Sequence, residues 1–121
     1  MQSTASLKKN YEFKRVYNKG RYSTGKHLVL YALTNNLKVN RLGITTSKKV
    51  GNSVRRNRAR RLIKESYRLL EGRVSLGYDI VFVARTSEKE TGLEDIKREM
   101  DYLIGKLGLR DKENDSCLGK S

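Results

Sequence analysis

The 121-residue chain contains no proline, one cysteine and one histidine. The absence of proline excludes collagen-like and polyproline segments. Cys117 has no partner for an internal disulfide, and neither it nor His27 stands at metal-ligand spacing, so we expect no metal site and a reducing, cytoplasmic setting. The longest apolar runs, such as 80–84, have about five residues, whereas a bilayer span needs roughly 20. We therefore expect a soluble chain with neither a signal peptide nor a membrane span.

Acidic residues are also few, since 13 Asp and Glu stand against 27 Lys and Arg and leave a net charge of +14. Such a charge repels itself unless a polyanion offsets it, and nucleic acid or an acidic membrane surface is the natural partner. The length and the lack of any repeat or linker predict a single domain over residues 1–121. Its ordered core is expected at about 5–108, followed by a polar tail at 109–121.

Hydrophobic periodicity predicts six elements in the order α-β-β-α-β-α, an α+β arrangement of one sheet with helices packed on it. The first helix runs from about Leu7 to Asn18, and a short extra strand is expected around 20–25. Residues 27–33 and 39–46 predict two strands, which the turn-forming Asn35-Asn36 pair joins as an antiparallel hairpin.

The second half of the chain continues with a helix at 53–71 and a near-continuous apolar strand at 78–85, which suits a central position in the sheet. A final amphipathic helix is defined by its apolar positions, which are Leu93, Ile96, Met100, Leu103 and Leu107.

The helix at 53–71 and the residues before it carry most of the charge. Between 48 and 68, nine Lys and Arg residues face Glu65 alone, and arginine outnumbers lysine. Guanidinium groups bind phosphate through two parallel hydrogen bonds, so we interpret this segment as a nucleic-acid-binding surface. A solvated basic face and a membrane-surface helix are the alternatives. The apolar face of the helix is predicted to contain Ala59, Leu62, Ile63, Ser66, Leu69 and Leu70, and the opposite face Asn57, Arg60, Arg61, Lys64 and Arg68.

Three aromatic residues, Phe13, Tyr17 and Tyr31, are candidates for contacts with unpaired bases. If the first helix packs beside the strand that carries Tyr31, the rings would line a cleft and stack on bases, a contact of about 1–3 kcal/mol per base that tolerates any sequence. Ordinary core packing is the alternative. The other tyrosines are expected at the edge of the core or on the surface, and they are Tyr11, Tyr22, Tyr67, Tyr78 and Tyr102.

No set of residues typical of catalysis is present. A GxxxxGK match begins at Gly20, but His27 stands where a phosphate-binding loop needs Ser or Thr, and a strand is expected next. No Ser/His/Asp set, Cys/His pair or paired carboxylates can be assembled. The sequence therefore predicts a binding protein. A DNA-binding helix-turn-helix is disfavoured, because a strand precedes the helix at 53–71.

The stretch at 41–68 carries a resemblance to a known family. Its centre is Arg56-Asn57-Arg58 followed by Arg60-Arg61, and further matching segments lie at 7–20, 28–31 and 78–85. On these residues the chain resembles the bacterial ribonuclease P protein components over roughly 5–108. The resemblance implies a single-domain α/β sandwich with a central mixed sheet and a left-handed βαβ crossover, against the usual right-handed rule. Tyr17 stands where that family often has Phe, and a Tyr ring can stack as well.

In that family the enzyme is a ribonucleoprotein that removes the 5′ leader of precursor tRNA. The resemblance implies ribonuclease P RNA and precursor tRNA as partners, with neither DNA nor a membrane. It implies that catalysis and Mg²⁺ belong to the RNA subunit and that the polypeptide has no catalytic residue, metal or cofactor of its own. A structural or ribosomal RNA-binding protein without a cleavage role is the main alternative, and a protein-only nuclease is another.

The resemblance also assigns residues to two kinds of contact. Those expected to bind the single-stranded leader are Phe13, Tyr17, Tyr31, Arg56, Asn57 and Arg60. Those expected on phosphates of the catalytic RNA are Lys48, Lys49, Arg55, Arg58, Arg61, Lys64 and Arg68.

Overall fold

The computed structural model describes residues 4–85 and 92–110. Its helices are α1 (Asn10–Lys19), α2 (Ser53–Leu70) and α3 (Leu93–Lys106), and its strands are β1 (Thr4–Ser6), β2 (Arg21–Thr24), β3 (Leu28–Thr34), β4 (Asn40–Thr46) and β5 (Tyr78–Ala84). The predicted helices, the three longer strands and the short strand around 20–25 are confirmed. β1 was not predicted, because three residues are too few to show an alternating apolar and polar pattern. The predicted tail beyond Arg110, with Cys117, lies outside the described residues.

All five strands form one mixed sheet in the order β1-β4-β5-β3-β2. β5 lies at its centre, antiparallel to β3 and parallel to β4, and Phe82 stands between Leu30 and Ile44. The predicted hairpin of β3 and β4 is wrong, because β5 separates these two strands. The physical reason is that β5 is apolar on both faces and would expose the most apolar surface at an edge, so both strands pair with it rather than with each other.

Helices cover both faces of the sheet, which confirms the α+β class. α2 and α3 pack on one face over the larger core, where Phe82 and Met100 are fully buried. α1 packs on the other face over a smaller core of Leu7, Val16 and Val81. The connection from β4 through α2 to β5 joins two adjacent parallel strands and is therefore a βαβ crossover. The left-handedness that the family resemblance implies for this crossover stays a prediction.

Tyr67 does not lie at the core edge, as predicted, but is fully buried beside Phe82. Its hydroxyl lies 3.2 Å from Oγ1 of Thr4 on β1. Burial raises the pKa of the Tyr67 phenol, and the Thr4 hydrogen bond opposes part of that shift. The prediction fails because the sequence patterns did not indicate β1. Thr4 on this strand supplies the polar partner that allows the Tyr67 hydroxyl to be buried. Leu69, predicted on the apolar face, is instead 44% exposed.

The folded unit extends past the predicted end of the core at 108. Gly108 turns the chain after α3 with a φ of 72°, a conformation that glycine adopts without strain. Leu109 is then fully buried, and its carbonyl accepts a hydrogen bond from Ser75 N at 2.7 Å. Arg110 forms an isolated bridge with Val74. Leu109 and Arg110 therefore belong to the fold and not to a polar tail.

A buried ion pair ties α1 to the sheet. Asp79 on β5 is fully buried and receives two hydrogen bonds of 2.7 Å from the guanidinium of Arg41 on β4 and one of 2.9 Å from Asn35 Nδ2. Arg41 also donates to Glu12 on α1 at 2.8 Å. Glu12 in turn accepts from the backbone N–H groups of Lys8 and Lys9, so it caps α1 as well.

The hydrogen bonds decide the charge of Asp79. Burial alone would raise its pKa, but the hydrogen bonds from Arg41 and Asn35 and the charges of Arg41 and Arg15 hold the pKa below its usual range. Asp79 is therefore ionised at neutral pH. Its charge stabilises the fold above the unfolded-state pKa of about 4, and this contribution is lost as pH falls through the lower folded-state value.

Replacement of Asp79 by Asn should lower the free energy of unfolding at pH 7 by about 3 kcal/mol, because it removes the buried anion that accepts two hydrogen bonds from Arg41 and leaves this guanidinium with Glu12 alone. The difference from the wild type should shrink as pH falls below about 4, where wild-type Asp79 also loses its charge. Urea unfolding between pH 7 and pH 3 measures both. Asp101→Asn, which removes a surface partner of Arg110, is the control and should cost less than about 1 kcal/mol. A pH-independent difference for Asp79→Asn would contradict the prediction.

Candidate nucleic-acid interface

Phe13, Tyr17 and Tyr31, called here the aromatic surface, lie side by side between α1 and the sheet. The ring centroids of Phe13 and Tyr17 are 6.5 Å apart, and those of Tyr17 and Tyr31 are 4.9 Å apart with planes at 75°. All three side chains are half-buried. Each ring therefore packs against the smaller core and also remains partly accessible, so the two interpretations of these residues do not exclude each other.

Gly43 on β4 makes room for the aromatic surface. A Cβ atom at this position would lie 2.7 Å from Cζ of Phe13 and closer still to Cε1, so any other residue would displace the ring. Two residues farther along β4, the hydroxyls of Thr45 and Tyr17 are 3.3 Å apart. The glycine and the hydroxyl pair thus determine how closely α1 approaches the sheet.

The arginine-rich helix starts at the same end of the sheet as Tyr17. β4 ends at Thr46, one residue after the contact between Thr45 and Tyr17, and α2 begins seven residues later at Ser53. A 3-10 turn at 48–50 fills most of the connection. This short, structured link therefore places the start of α2 close to the end of β4 that contacts Tyr17.

Local hydrogen bonds build the start of α2. Gly51 has a φ of 132°, and a side chain there would also meet Arg55, so glycine is required. Asn52 caps the helix by accepting a hydrogen bond from Arg55 N at 3.0 Å. Arg56 Nη1 donates to the Gly51 carbonyl at 3.3 Å, and among the described residues no second acceptor engages the half-buried Arg56 side chain.

Most of the predicted phosphate-binding side chains are exposed on α2. Arg68 donates to Glu65 at 3.0 Å, so part of its charge is already balanced. Lys49 is exposed in the 3-10 turn. The side chain of Lys48 is not among those that the structure describes. Within residues 4–85 and 92–110, no carboxylate forms an ion pair with the remaining exposed cations of the set, which are Arg55, Arg58, Arg60, Arg61 and Lys64.

Asp and Glu are absent from much of the sequence that forms the candidate interface. α2 has no Asp or Glu in its first turn, although the helix dipole favours negative charge there. No Asp or Glu occurs in the sequence between Glu12 and Glu65, a span that contains the aromatic surface and the start of α2. This acid-free span is a signal that the sequence analysis did not use. The like charges weaken the free helix and leave its positive end available to an anion.

Tyr22 is an aromatic neighbour that the sequence analysis missed. Its predicted surface position is confirmed, but its ring lies 5.7 Å from that of Tyr31. The register of the β2–β3 hairpin pairs these residues, and Gly25 N donates to the Leu28 carbonyl at its turn. The pairing was predictable in principle, because residues opposite each other in a hairpin are equally distant from its turn.

The GxxxxGK segment is not a phosphate-binding loop. The backbone N–H groups of Lys26, its last residue, and of His27 and Leu28 after it donate to the carboxylate of Glu99 on α3, at 3.1, 2.8 and 2.7 Å. A strand and a 3-10 turn precede α2, so no helix-turn-helix is formed there. Among the residues described, none group into a set of three or more His, Cys, Asp or Glu that could hold a metal, and no helix is long and apolar enough to cross a membrane.

The fold combines arginines on α2 that have no acidic partner among the described residues with partly accessible rings, in a span without Asp or Glu, and so defines a small RNA-binding protein. The ribonuclease P family model matches residues 1–108, so the chain belongs to the ribonuclease P protein family. The ribonuclease P protein component of Alkaliphilus metalliredigens is 51% identical over 109 residues, which cover 90% of this chain and 98% of the relative. That of Clostridium botulinum is 47% identical over 104 residues, covering 85% and 94%.

Solved structures agree with this assignment. The RNase P protein of Staphylococcus aureus is similar with a TM-score of 0.78 and 31% identity, covering 88% of this chain and 97% of that one. The RNase P protein of Thermotoga maritima shares the fold with a TM-score of 0.73 at 23% identity, covering 81% and 94%. The chain is therefore a subunit of the ribonuclease P ribonucleoprotein, an RNA-binding protein of tRNA processing whose partner is ribonuclease P RNA.

Removal of two arginines from α2 should weaken the salt dependence of binding to ribonuclease P RNA. Each phosphate contact contributes about 0.7–0.9 to the slope of log affinity against log salt, so Arg58→Ala with Arg61→Ala should lower the slope by about 1.4–1.8. Titrations at several salt concentrations measure it. The control, Lys97→Ala with Arg98→Ala on α3, removes the same charge and should leave the slope unchanged. Equal slopes for both variants would exclude this part of α2 from the interface.

Proposed function

We propose that the protein binds the single-stranded 5′ leader of precursor tRNA on the aromatic surface while α2 contacts the catalytic RNA. The observation that carries the proposal is the half-buried state of Phe13, Tyr17 and Tyr31, in a span of the chain that has no Asp or Glu between Glu12 and Glu65. Rings anchored in a core lose little entropy when a base stacks on them, and stacking tolerates any base. A leader varies in sequence, so this mode of recognition suits it.

The first turns of α2 supply the charged side of the leader site. Arg56 is oriented by its bond to the Gly51 carbonyl, whereas Asn57 and Arg60 are exposed. Guanidinium groups bind phosphate oxygens through paired hydrogen bonds, and the Asn57 amide can donate to or accept from a base. The exposed cations on the outer face of α2 then contact phosphates of the catalytic RNA, together with the 3-10 turn.

The cleavage chemistry belongs to the RNA subunit, which with bound Mg²⁺ supplies metal-assisted hydrolysis of the phosphodiester. The protein's own carboxylates on the α1 side of the sheet support this division. Glu12 and Asp79 both bond Arg41, and both have pKa values below the usual range, Glu12 chiefly because the backbone N–H groups of Lys9 and Lys8 stabilise its charge. Such carboxylates are weak bases and serve to hold α1 in place.

Leader binding would allow the protein to discriminate between the substrate, precursor tRNA, and the product, mature tRNA. Mature tRNA lacks the leader, so contacts on the aromatic surface would raise the affinity for the precursor without retaining the product. We place this activity in the cytoplasm. The competing function, a structural or ribosomal RNA-binding protein, requires the basic surface of α2 but has no need for accessible rings beside it.

Phe13→Ala and Tyr17→Ala should each weaken binding of precursor tRNA to the reconstituted holoenzyme by about 5- to 30-fold, because each removes one stacking surface. Affinity for mature tRNA should stay within twofold of the wild type. Tyr102→Ala, which removes a tyrosine on α3 that is 61% exposed, is the control and should affect neither ligand. Equal losses for precursor and mature tRNA would show that the rings act only as core and would favour the structural alternative.

The polypeptide alone should not cleave precursor tRNA, whereas together with ribonuclease P RNA it should support cleavage at low Mg²⁺. The physical reason is that the metal-assisted step belongs to the RNA, and the protein adds affinity for the substrate. Gel analysis of the 5′-labelled precursor, with and without each subunit, measures this. Cleavage by the RNA-free protein would overturn the mechanism, and binding of both RNAs with no stimulation of cleavage would favour the structural alternative.

A further inference from the structure

Tyr22 on the edge strand β2 is a strongly exposed ring beside the aromatic surface. The residue is 64% exposed, and its ring centroid lies 5.7 Å from that of Tyr31 with the planes inclined by 32°. Tyr17, by contrast, meets Tyr31 at 75°. The rings of Tyr22 and Tyr31 therefore have similar orientations, and an unpaired strand can pass from one to the other with a small rotation of its bases.

The sheet register places Tyr22 at the end of a continuous row. Gly43, Val81, Tyr31 and Tyr22 are paired in succession across β4, β5, β3 and β2, and they all point to the face that α1 covers. Phe13 lies above Gly43 at one end of this row. Tyr22 extends the row to β2, which is the last strand at this end of the sheet among the residues that the structure describes.

The structure around Tyr22 requires no contribution from its ring. Arg21 and Ser23, its neighbours on β2, point to the other face, where Arg21 donates to the Leu107 carbonyl at 2.9 Å and Ser23 is buried. Tyr22 itself forms no side-chain hydrogen bond or ion pair with any residue that the structure describes, and its contact is the ring of Tyr31.

The position of β2 is tightly constrained. Gly20 alone joins α1 to β2, and a Cβ there would lie 2.5 Å from the Val16 carbonyl oxygen and 2.8 Å from that of Ala32. The edge strand is therefore held directly beside the end of α1, where Lys19 is exposed. Tyr22 lies in the acid-free span between Glu12 and Glu65, so an approaching phosphate meets no carboxylate from this part of the chain.

We propose that Tyr22 is a further stacking site for an unpaired leader nucleotide, one step beyond the nucleotide on Tyr31. This inference rests on the proposed function, because it extends the same path for the leader from the aromatic surface over the edge of the sheet. Its chemistry is base stacking without sequence readout. It predicts that the leader length over which the protein increases affinity depends on residue 22.

The test uses holoenzyme reconstituted from ribonuclease P RNA and the full chain, with precursor tRNAs whose leaders grow one nucleotide at a time. Tyr22→Ala should bind short-leader precursors like the wild type and should lose about 5- to 30-fold in affinity once the leader is long enough to reach β2. Tyr22→Val, which retains strand propensity, should show the same loss, and Tyr22→Phe should retain wild-type affinity. Tyr102→Ala is the control at a similarly exposed tyrosine on the opposite face.

A second readout reports stacking directly. With 2-aminopurine placed at successive leader positions, its fluorescence should be quenched by wild-type protein and by Tyr22→Phe at one position where Tyr22→Ala no longer quenches it. Quenching at the positions nearer the cleavage site should be the same in all variants. A position-specific loss is not expected if Tyr22 only supports Tyr31, because that role would alter the nearer positions as well.

The outcomes separate this inference from the proposed function. If Phe13→Ala weakens precursor binding but Tyr22→Ala has no effect at any leader length, the Tyr22 site is refuted and the leader surface stands. If Tyr22→Ala weakens binding of all leaders and of mature tRNA equally, Tyr22 contacts another part of the complex and the inference also fails. If neither variant shows a dependence on the leader, the proposed function itself is refuted.

Discussion

The interface depends on the buried ion pair between Asp79 and Arg41. This pair joins β4 to β5, and the third bond of Arg41, to Glu12, fixes α1 on top of them. Phe13 and Tyr17 are carried by α1, whereas Tyr31 belongs to the sheet. The three rings can therefore form one surface only while α1 is held in this position. Guanidinium geometry suits the task, because one planar group binds two carboxylates in fixed directions.

Acidic and basic side chains have separate roles in this molecule. The acids described above serve the fold, since Glu12 and Asp79 bind Arg41 and Glu99 binds the backbone of the β2–β3 turn. The cations at the start of α2 have no such partners among the described residues, and the positive end of the helix dipole adds to their repulsion. The fold thus carries an electrostatic cost that a bound RNA relieves. Affinity for the polyanion and the weakness of the free helix have the same physical origin.

Local patterns predicted the elements well and their pairing poorly. The helices follow from apolar residues at helical spacing, and β5 was correctly expected at the centre because it is apolar on both faces. β3 and β4 both pair with β5, which follows them by more than 30 residues, so no local pattern indicated this pairing. The burial of Tyr67 could not be predicted from local patterns either. It requires a hydrogen-bond partner for the hydroxyl, which Thr4 supplies from a three-residue strand.

The sequence by itself determined the elements, the basic surface of α2 and the identity of the candidate rings, because these depend on composition and on spacing within one element. Only the tertiary structure decided that Phe13, Tyr17 and Tyr31 meet, that Gly43 leaves space for them, and that Tyr22 continues their row. These contacts join residues on different elements. They depend on strand order and register, which are selected by the free energy of the whole core and not by any local pattern.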